Sequence, residues 1–202
     1  MSDQYTTLKS SAFGEFRDRN SRFLAYGFPV FSEHDIKDKQ EKITKLHPKA
    51  SHHCYAYRLG LSGNAFRAND DGEPSGTAGR PILGQIDSFG LTNVFIVVVR
   101  YYGGTKLGTS GLINAYKSAA KIALTDASTI EKTLDDIFLL TFKYDIMPHV
   151  MQFVKDQKLE IVEQSFEDIA MLKIGIRKTE AEFFLNELKK LGVVDINFLF
   201  TR

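Results

Sequence analysis

The chain has 202 residues, of which 43% are hydrophobic and 25% are charged, and its formal net charge is +1. This composition is that of a globular protein, and no apolar run approaches the roughly 18 residues of a membrane span. The single cysteine, Cys54, excludes an intramolecular disulfide framework. The first residues lack the apolar core of a signal peptide, so we expect a cytoplasmic protein without a membrane partner.

The first 130 residues predict strands alternating with helices. Predicted strands cover residues 21–30, 53–59 and 94–102, and predicted helices cover residues 33–47, 81–86 and 110–125. Ser32 and Asp35 have the spacing of a capping box at the start of the first helix. A polar loop over residues 62–76 precedes the second helix. The run 94–102 is rich in β-branched and aromatic residues, which predicts a strand buried on both faces.

A second domain is predicted after the polar stretch 128–136, so we assign an N-terminal domain to residues 1–130 and a C-terminal domain to residues 131–202. The C-terminal elements are a strand at 138–144, a helix beginning at Pro148, a hairpin of 159–166 with 169–176, a helix from Thr179 to Gly192 with Glu182 completing a capping box, and a strand at 194–200. This order, β-α-β-β-α-β, predicts a ferredoxin-like split βαβ sandwich and an α+β protein.

A polar, glycine-rich block from Asp70 to Lys117 carries the clearest functional signal, because binding sites commonly lie in loops on a rigid scaffold. Its segment GGTKLGTSG, Gly103–Gly111, ends a strand and opens a helix, where backbone N–H groups and the helix dipole favour an anion. Lys106 adds charge inside this loop. The P-loop pattern fails, because Thr109 and Ser110 stand where Lys and Ser/Thr are required. A tight turn without a ligand is the competing interpretation.

An acidic turn opens the same block, with Asp70, Asp71 and Glu73 followed by Ser75 and Thr77. Paired carboxylates can hold Mg²⁺ or act in acid–base catalysis, although the spacing of an EF-hand is absent. The competing interpretation is a solvated turn that caps the helix after Ser75.

Upstream, His52, His53 and Cys54 are metal-ligating residue types, but no CxxC or HxxxH partner accompanies them. We therefore expect no metal and no cofactor, and we assign no catalytic residue.

Basic and aromatic side chains interleave over the first 130 residues, a pattern typical of nucleic-acid binding, since Arg and Lys neutralise phosphates and Tyr stacks on bases. The residues concerned are Tyr55, Tyr57, Arg58, Arg67, Arg80, Arg100, Tyr102, Lys106, Lys117 and Lys121. Lys117 and Lys121 lie one helical turn apart on one face. The residues after 130 carry an acidic excess, so a polyanion would meet the first domain. Ordinary solvated side chains, with Tyr101 or Tyr102 in the core, are the alternative.

Two long motifs give the chain a resemblance to a known family. The segments DDGEPSGTAGRPIL and GLTNVFIVVVRYYGGTKLGTSGL, with SRFLA and HPKASHHCYAYR upstream, closely resemble the signature of the IMPACT family, whose bacterial members include YigZ-like proteins. The match spans residues 5–125, and the remainder is similar to the smaller C-terminal domain of the bacterial members.

The resemblance implies a first domain like a small-subunit ribosomal protein and domain IV of elongation factor G, and a second domain like the last domain of that factor. It also implies a role in translation regulation, with RNA or the ribosome as partner, and no established enzyme activity. Eukaryotic members carry an additional N-terminal partner-binding domain, which we do not expect here.

The leading hypothesis is a non-catalytic nucleic-acid-binding protein in a translational setting. Arg100, Lys106, Lys117 and Lys121 would contact phosphates, while Tyr102 would stack and the helix start at Thr109–Ser110 would add backbone donors. A competing hypothesis is an enzyme or small-ligand binder for a phosphorylated substrate, with the Gly103–Gly111 loop as phosphate cradle and the Asp70–Glu73 turn as base or metal ligand. A module that docks a protein partner in translation is the third.

Overall fold

A computed structural model describes residues 3–61, 63–167, 169–193 and 195–201. Its contacts divide the chain into two compact units, Tyr5–Lys132 and Met1–Gln4 with Thr133–Arg202. The α+β class is confirmed, because the described residues combine α-helices with antiparallel sheets of five and four strands. The domain boundary between residues 130 and 131 stays a prediction. No helix within the described ranges is long and apolar enough to cross a membrane.

The first unit is built on a five-stranded antiparallel sheet with the order β2-β3-β6-β4-β5, and β1 pairs with β7 in a separate sheet. The strands are β1 (Gln4–Leu8), β2 (Ala12–Asp18), β3 (Ser21–Pro29), β4 (His52–Leu59), β5 (Ala65–Asn69), β6 (Val94–Tyr101) and β7 (Thr129–Thr133). The helices are α1 (Glu33–Leu46), α2 (Gly79–Ser88) and α3 (Gly108–Thr125).

The central strand β6 is buried on both faces, as its unbroken apolar run predicted. Ile96 and Val98 share a core with α2 and α3 on one face. Phe95 and Val97 share another core with Ile36 of α1 on the opposite face. Side chains alternate along a strand, so this layering also decides that Arg100, two residues after Val98, faces α2 and α3.

The capping box at α1 is confirmed in part: Ser32 Oγ accepts the Asp35 N–H at 3.1 Å, but Asp35 Oδ2 accepts the N–H of Phe31, one residue before the cap, at 2.8 Å. The polar loop predicted over residues 62–76 is wrong in part, since it contains β5. β5 is an edge strand whose side chains are mostly exposed. Its sequence therefore shows no alternation of apolar and polar residues that would reveal a strand. β2 also lacks a clear pattern. At its Gly14 an added Cβ would lie 2.4 Å from the Ala123 backbone nitrogen, so close approach to α3 replaces side-chain packing.

The second unit contains a four-stranded antiparallel sheet with the order β11-β8-β10-β9. Its strands are β8 (Asp135–Phe142), β9 (Glu160–Phe166), β10 (Ala170–Arg177) and β11 (Asp195–Thr201), and its helices are α4 (Met147–Asp156) and α5 (Ala181–Lys190), with a short 3-10 helix at Tyr144–Ile146. The core includes Phe138, Leu140 and Phe142 of β8, which alternate as the sequence indicated. Val194, predicted to begin the last strand, lies outside the described residues.

The capping box predicted at Thr179 and Glu182 is wrong. α5 begins at Ala181 without a side-chain cap, and the Thr179 hydroxyl instead donates to Asp3 Oδ2 at 2.8 Å. Arg177 Nε donates to the same oxygen at 2.8 Å, and these bonds lower the pKa of Asp3, Arg177 having the larger effect. A carboxylate more than 170 residues away in sequence competes for the hydroxyl, which local spacing does not reveal.

Candidate functional site

The candidate site is a cleft of about 590 Å³ at one end of the five-stranded sheet, where β4 begins and β6 ends. Both loops of the glycine-rich block contribute to it, although they are some 30 residues apart in sequence. The lining residues are Ser51, His52, Glu73, Pro74, Arg100, Tyr102, Lys106, Leu107, Gly108, Thr109 and Leu112.

Strand register places three side chains in one row at this end of the sheet. Arg100 of β6 pairs with Phe23 of β3 on one side and with His52 of β4 on the other. Residues directly opposite each other in antiparallel strands point to the same face, so all three face α2 and α3. The sheet thus places Arg100, His52 and the ring of Phe23 at the base of the cleft.

Glu73 is the centre of the polar network at this base, and it is buried although it comes from a loop. Its Oε1 accepts hydrogen bonds from Arg100 Nη1 at 2.6 Å and from the Tyr116 hydroxyl at 2.7 Å. His52 Nε2 lies 3.9 Å from the same oxygen. The prediction of a solvated acidic turn is therefore wrong for Glu73. A buried carboxylate must be paired, and Glu73 is paired with Arg100 and Tyr116.

Arg100 is held on several sides, with 6% of its surface exposed. Its guanidinium carbon lies 5.4 Å from the ring centroid of Phe23 and 5.4 Å from that of Tyr102, in cation–π contacts. Its Nε is buried and has no hydrogen-bond partner among the described residues. Arg100 is thus a rigid cation in the cleft wall with unused hydrogen-bonding capacity, rather than a flexible surface arginine.

Asp70 organises the acidic turn by accepting three backbone N–H groups, those of Gly76 at 2.8 Å, Ala78 at 2.9 Å and Gly79 at 2.8 Å. Burial alone would raise the pKa of Asp70, but these three donors outweigh it and hold the pKa below its ordinary value. Asp70 therefore caps the start of α2. The capping role proposed for this turn fits Asp70, but not Glu73.

Asp71 tightens the turn from the other side. Its Oδ2 accepts the His53 N–H at 2.6 Å, and its carbonyl oxygen lies 2.7 Å from His52 Nδ1. The backbone of Asp71 has φ 42°, in the left-handed region that only a few non-glycine residues adopt. These bonds fix the acidic turn onto the beginning of β4 and so carry Glu73 to its buried position.

The second loop, Gly103–Gly111, reaches the cleft because two of its glycines adopt positions that other residues would not. A Cβ on Gly103 would lie 2.1 Å from the Asn20 carbonyl carbon, so only glycine lets β6 leave the sheet beside the β2–β3 turn. Gly108, with φ 73°, begins α3. Among the described residues no side chain caps α3, and its first N–H groups are left for water or a ligand.

Tyr116 connects the polar network to the core of the unit. It is fully buried on α3 and makes an edge-to-face contact with Phe23, with ring centroids 5.1 Å apart. Cys54 Sγ lies 3.3 Å from the Tyr116 hydroxyl and 2.9 Å from the Asp70 carbonyl oxygen. Burial raises the pKa of both groups, so the thiol and the phenol stay protonated at neutral pH.

The structure gathers only part of the predicted anion-binding set. Arg100, Tyr102, Lys106 and Thr109 line the cleft, together with Glu73 from the signature loop. Ser110 follows in the exposed first turn of α3, and Lys117 and Lys121 are exposed farther along that helix. The hydroxyl of the buried Thr77 donates to the Pro74 carbonyl at 2.7 Å, while Ser75 is exposed.

Three predicted arginines, Arg58, Arg67 and Arg80, are not among the lining residues of the cleft. Arg58 donates to Asp87 Oδ1 and to the Gly63 carbonyl oxygen, with its guanidinium over the ring of Phe66. Arg80 is exposed on α2. Tyr55 and Tyr57, predicted among the aromatic residues, are buried in the core beneath α1. The interleaved basic and aromatic residues therefore lie in three different settings: in the core, in bonds that hold loops together, and in the cleft.

The metal alternative gains no geometric support, since the described residues contain no group of three or more potential ligands that could hold an ion. Cys54 is buried and His52 is bonded to the backbone of the acidic turn.

Sequence reasoning did not single out Tyr116, whose hydroxyl donates to Glu73 at the base of the cleft. A tyrosine in an alanine-rich stripe was the available signal, because a buried phenol requires a hydrogen-bond partner. The apolar lining by Leu107 and Leu112 was also not predicted, since nothing local indicates which side of the first turn faces a cleft.

Comparison with known proteins places these residues in a family. The family described as Impact N-terminal domain matches residues 19–124, which include both loops of the cleft. An IMPACT family member from Haemophilus influenzae is 35% identical over 187 residues, covering 92% of this chain and 91% of that protein. IMPACT family member YigZ from Escherichia coli is 34% identical, covering 82% of each chain.

A third relative and a solved structure extend the likeness over both units. IMPACT family member YvyE from Bacillus subtilis is 30% identical, covering 95% of this chain and 88% of that protein. A crystal structure described as that of a hypothetical protein has a TM-score of 0.77 and 26% identity, covering 98% of each chain.

Proposed function

The chain belongs to the IMPACT family, as its sequence motifs predicted, and from that premise we propose that it is a non-catalytic RNA-binding protein with a role in translation. The observation that carries the proposal is the meeting of Arg100, Lys106 and the uncapped start of α3 in one cleft beside Tyr102. The Lys106 ammonium and free backbone N–H groups bind phosphate, and an aromatic ring beside them accepts a base.

The exposed lysines of α3 extend this surface beyond the cleft. Lys117 and Lys121 are spaced four residues apart, so their side chains lie on neighbouring turns. Thr109, which lines the cleft, precedes Lys117 by eight residues on the same helix. Lys117 and Lys121 are turned about 80° and 120° around the helix from Thr109, so a strand that leaves the cleft and winds around α3 would meet both lysines, whereas Arg58 and Arg80 would contribute little.

The architecture is compatible with the same role. We propose that residues 1–130 form a domain like a small-subunit ribosomal protein and domain IV of elongation factor G, and that residues 131–202 form a ferredoxin-like domain. The β-α-β-β-α-β order and the strand order β11-β8-β10-β9 support the second assignment. We also propose the ribosome or another component of translation as partner, and with it a cytoplasmic location.

Polarisation of a labelled single-stranded RNA over a salt series tests the proposal. Binding is expected to weaken steeply between about 50 and 200 mM salt, because each neutralised phosphate releases counterions. Lys106→Glu should weaken binding, whereas Lys42→Glu, an exposed site on α1 on the opposite side of the sheet, should leave it unchanged. Absence of binding at the lowest salt would overturn the proposal.

A second candidate is a binder of, or enzyme for, a small phosphorylated compound. It is favoured by the volume of the cleft, about 590 Å³, and by the buried carboxylate of Glu73 at its base. Small-ligand sites commonly have volumes of about 300–1,000 Å³ with a few convergent polar groups. Thermal-shift screening with nucleotides and Mg²⁺ separates the two candidates, since stabilisation by a small phosphate compound without RNA binding would favour the second.

A further inference from the structure

We propose that the cleft holds the 5′-terminal phosphomonoester of an RNA strand, with the first base against Tyr102 and the next nucleotides along α3. The inference rests on the proposed RNA-binding function and adds which part of the RNA the cleft recognises. It follows from the size of the cleft, the positions of its donors and the charge of its base.

The size of the cleft limits what can enter it. A volume of about 590 Å³ is that of an ordinary small-molecule site, so it accommodates one nucleotide at a time. The lining residues come from the start of β4, the acidic turn, the end of β6 and the start of α3, so they surround the volume from several sides. A strand end fits such a site, whereas an internal nucleotide needs room for the chain on both sides.

The cleft takes hydrogen-bond donors from the start of α3 and from the loop before it. α3 offers uncapped backbone N–H groups, and Lys106 offers an exposed ammonium in the loop before it. Independently of the helix start, Arg100 lines the cleft and is more than nine-tenths buried, and its Nε, which has no exposed surface, has no partner among the described residues. A terminal phosphomonoester presents three acceptor oxygens and a charge of about −1.5 to −2 near pH 7.

The charge of the base also favours the more highly charged group. Glu73 lies 2.6 Å from Arg100, so this pair brings little net charge to the cleft. The remaining attraction comes from Lys106 and the dipole of α3. That attraction is proportional to the charge of the ligand, so a dianionic terminal group gains about twice as much from it as a singly charged diester does.

The other lining residues form an apolar place for a base. Pro74, Leu107 and Leu112 are aliphatic, and Tyr102 is 48% exposed although the Arg100 guanidinium carbon lies 5.4 Å from its ring centroid. An exposed aromatic ring next to aliphatic side chains is a sequence-tolerant stacking site, because every base has an aromatic face. We therefore expect recognition of the phosphate end with little preference for the identity of the base.

The exit of the strand is given by α3. With a rise of 1.5 Å per residue, Lys117 and Lys121 lie roughly 12 and 18 Å beyond Thr109 along the helix. Both are exposed. They are expected to contact later phosphates regardless of the chemistry at the 5′ end.

The experiment compares two single-stranded RNAs of about ten nucleotides, a length within the usual range of single-strand sites, that differ only at the 5′ end. One carries a 5′-phosphate and the other a 5′-hydroxyl, and the fluorescent label is at the 3′ end of both. Polarisation should give at least about tenfold tighter binding of the phosphorylated RNA, because charge-assisted hydrogen bonds to the terminal phosphate are lost in the other. A free nucleoside 5′-monophosphate, used as competitor, should displace the RNA only weakly.

Two variants assign the preference to the cleft. Lys106→Gln, an exposed position, should remove most of the preference for the 5′-phosphate. Lys117→Gln should weaken both RNAs by the same factor and leave the preference intact. Arg100→Gln should also abolish the preference, and circular dichroism is recorded to show whether this buried replacement folds.

Equal affinity for the two RNAs would overturn this inference while leaving RNA binding in place. No binding of either RNA would overturn the proposed function and the inference together. Equal loss of both RNAs in Lys106→Gln would also contradict the inference, since it would make Lys106 a contact for internal phosphates. Displacement of the RNA by the free nucleotide at matching concentration would show that the cleft recognises mononucleotides instead of strand ends.

Discussion

Glu73 Oε1 lies 2.6 Å from Arg100 Nη1, and both side chains are buried. This pair joins the acidic turn to the end of β6 and fixes the base of the cleft. Replacing a buried ion pair by apolar groups is often neutral for stability, whereas removing one partner is costly. The main role of the pair is therefore to hold the Arg100 side chain in one orientation.

Replacement of Glu73 by alanine is expected to lower the free energy of unfolding by about 3–5 kcal/mol, because it leaves the Arg100 charge buried without a partner. Glu73→Gln should cost less, since the amide oxygen still accepts a hydrogen bond. Urea denaturation measures both. Ser75→Ala, in the same turn but exposed, is the control and should be nearly neutral. Equal stability of Glu73→Ala and the parent protein would contradict the buried pair.

Tyr116→Phe removes the hydroxyl that donates to Glu73 at 2.7 Å and keeps the ring packed on Phe23. Hydrogen bonds to charged groups contribute about 1.5–3 kcal/mol, so a loss in that range is expected. The comparison is Tyr144→Phe, whose exposed hydroxyl bonds a backbone carbonyl and should cost less. Thermal and urea unfolding of the two variants give the ranking, and a larger loss at Tyr144 would refute it.

The pH dependence of stability should carry a contribution from Asp70. Its pKa is lower in the folded state than its ordinary value of about 3.9, because three backbone N–H groups bind the carboxylate. This contribution is therefore present above about pH 4 and is lost as the pH falls through the folded-state pKa. Asp3, whose pKa Arg177 lowers, acts in the same direction, so both groups contribute to acid sensitivity.

Asp70→Asn is expected to reduce stability at pH 6 by about 1–2 kcal/mol, as for loss of a helix cap, and to flatten the profile between pH 5 and pH 3. Unfolding free energies at several pH values check this. Asp38→Asn, an exposed carboxylate on α1, is the matched control, and its profile should follow that of the parent. A slope unchanged in Asp70→Asn would show that the three N–H bonds do not bias its protonation.

Two glycine replacements should have opposite effects. Gly103→Ala places a Cβ 2.1 Å from the Asn20 backbone and should cost about 1–3 kcal/mol or more, since backbone must move. Gly84→Ala lies in the interior of α2 with nothing within 4 Å of the added carbon. It should stabilise the protein by about 0.5–1 kcal/mol through helix propensity. Differential scanning calorimetry measures both, and a neutral Gly103→Ala would contradict the close approach.

RNA affinity should depend on position and not on charge alone. Arg58→Gln removes one positive charge, as Lys106→Gln does, but Arg58 is bonded to Asp87 and is not a lining residue of the cleft. Polarisation at fixed salt should show a several-fold loss for Lys106→Gln and little change for Arg58→Gln. Equal losses in the two variants would indicate a general effect of net charge.

The fold was most predictable where local signals and burial agree. The apolar run of β6 and the helix cap at Ser32 were interpreted correctly, because each reflects a local requirement of the strand or helix itself. β5 was missed because edge strands bury little, and the capping role of Thr179 was wrong because Asp3 takes its hydroxyl. Tertiary contacts override local preference in both cases.

The candidate site was predicted as two separate loops and not as one cleft. The glycines, Lys106 and the helix start indicated an anion site, and the acidic residues indicated a capped turn. Nothing in the spacing showed that Glu73 would be buried against Arg100 and Tyr116, since these residues are 27 and 43 positions apart. Only antiparallel pairing of β3, β6 and β4 places Phe23, Arg100 and His52 in one row.

By itself the sequence determined the α+β class, the family, the helix start within Gly103–Gly111 and the charges available to a ligand. These follow from local periodicity, capping and motif order, which are properties of neighbouring residues. The tertiary structure alone decided which charges are free and which are neutralised. A carboxylate and a guanidinium cancel only when the fold buries them together, and that depends on contacts between distant segments of the chain.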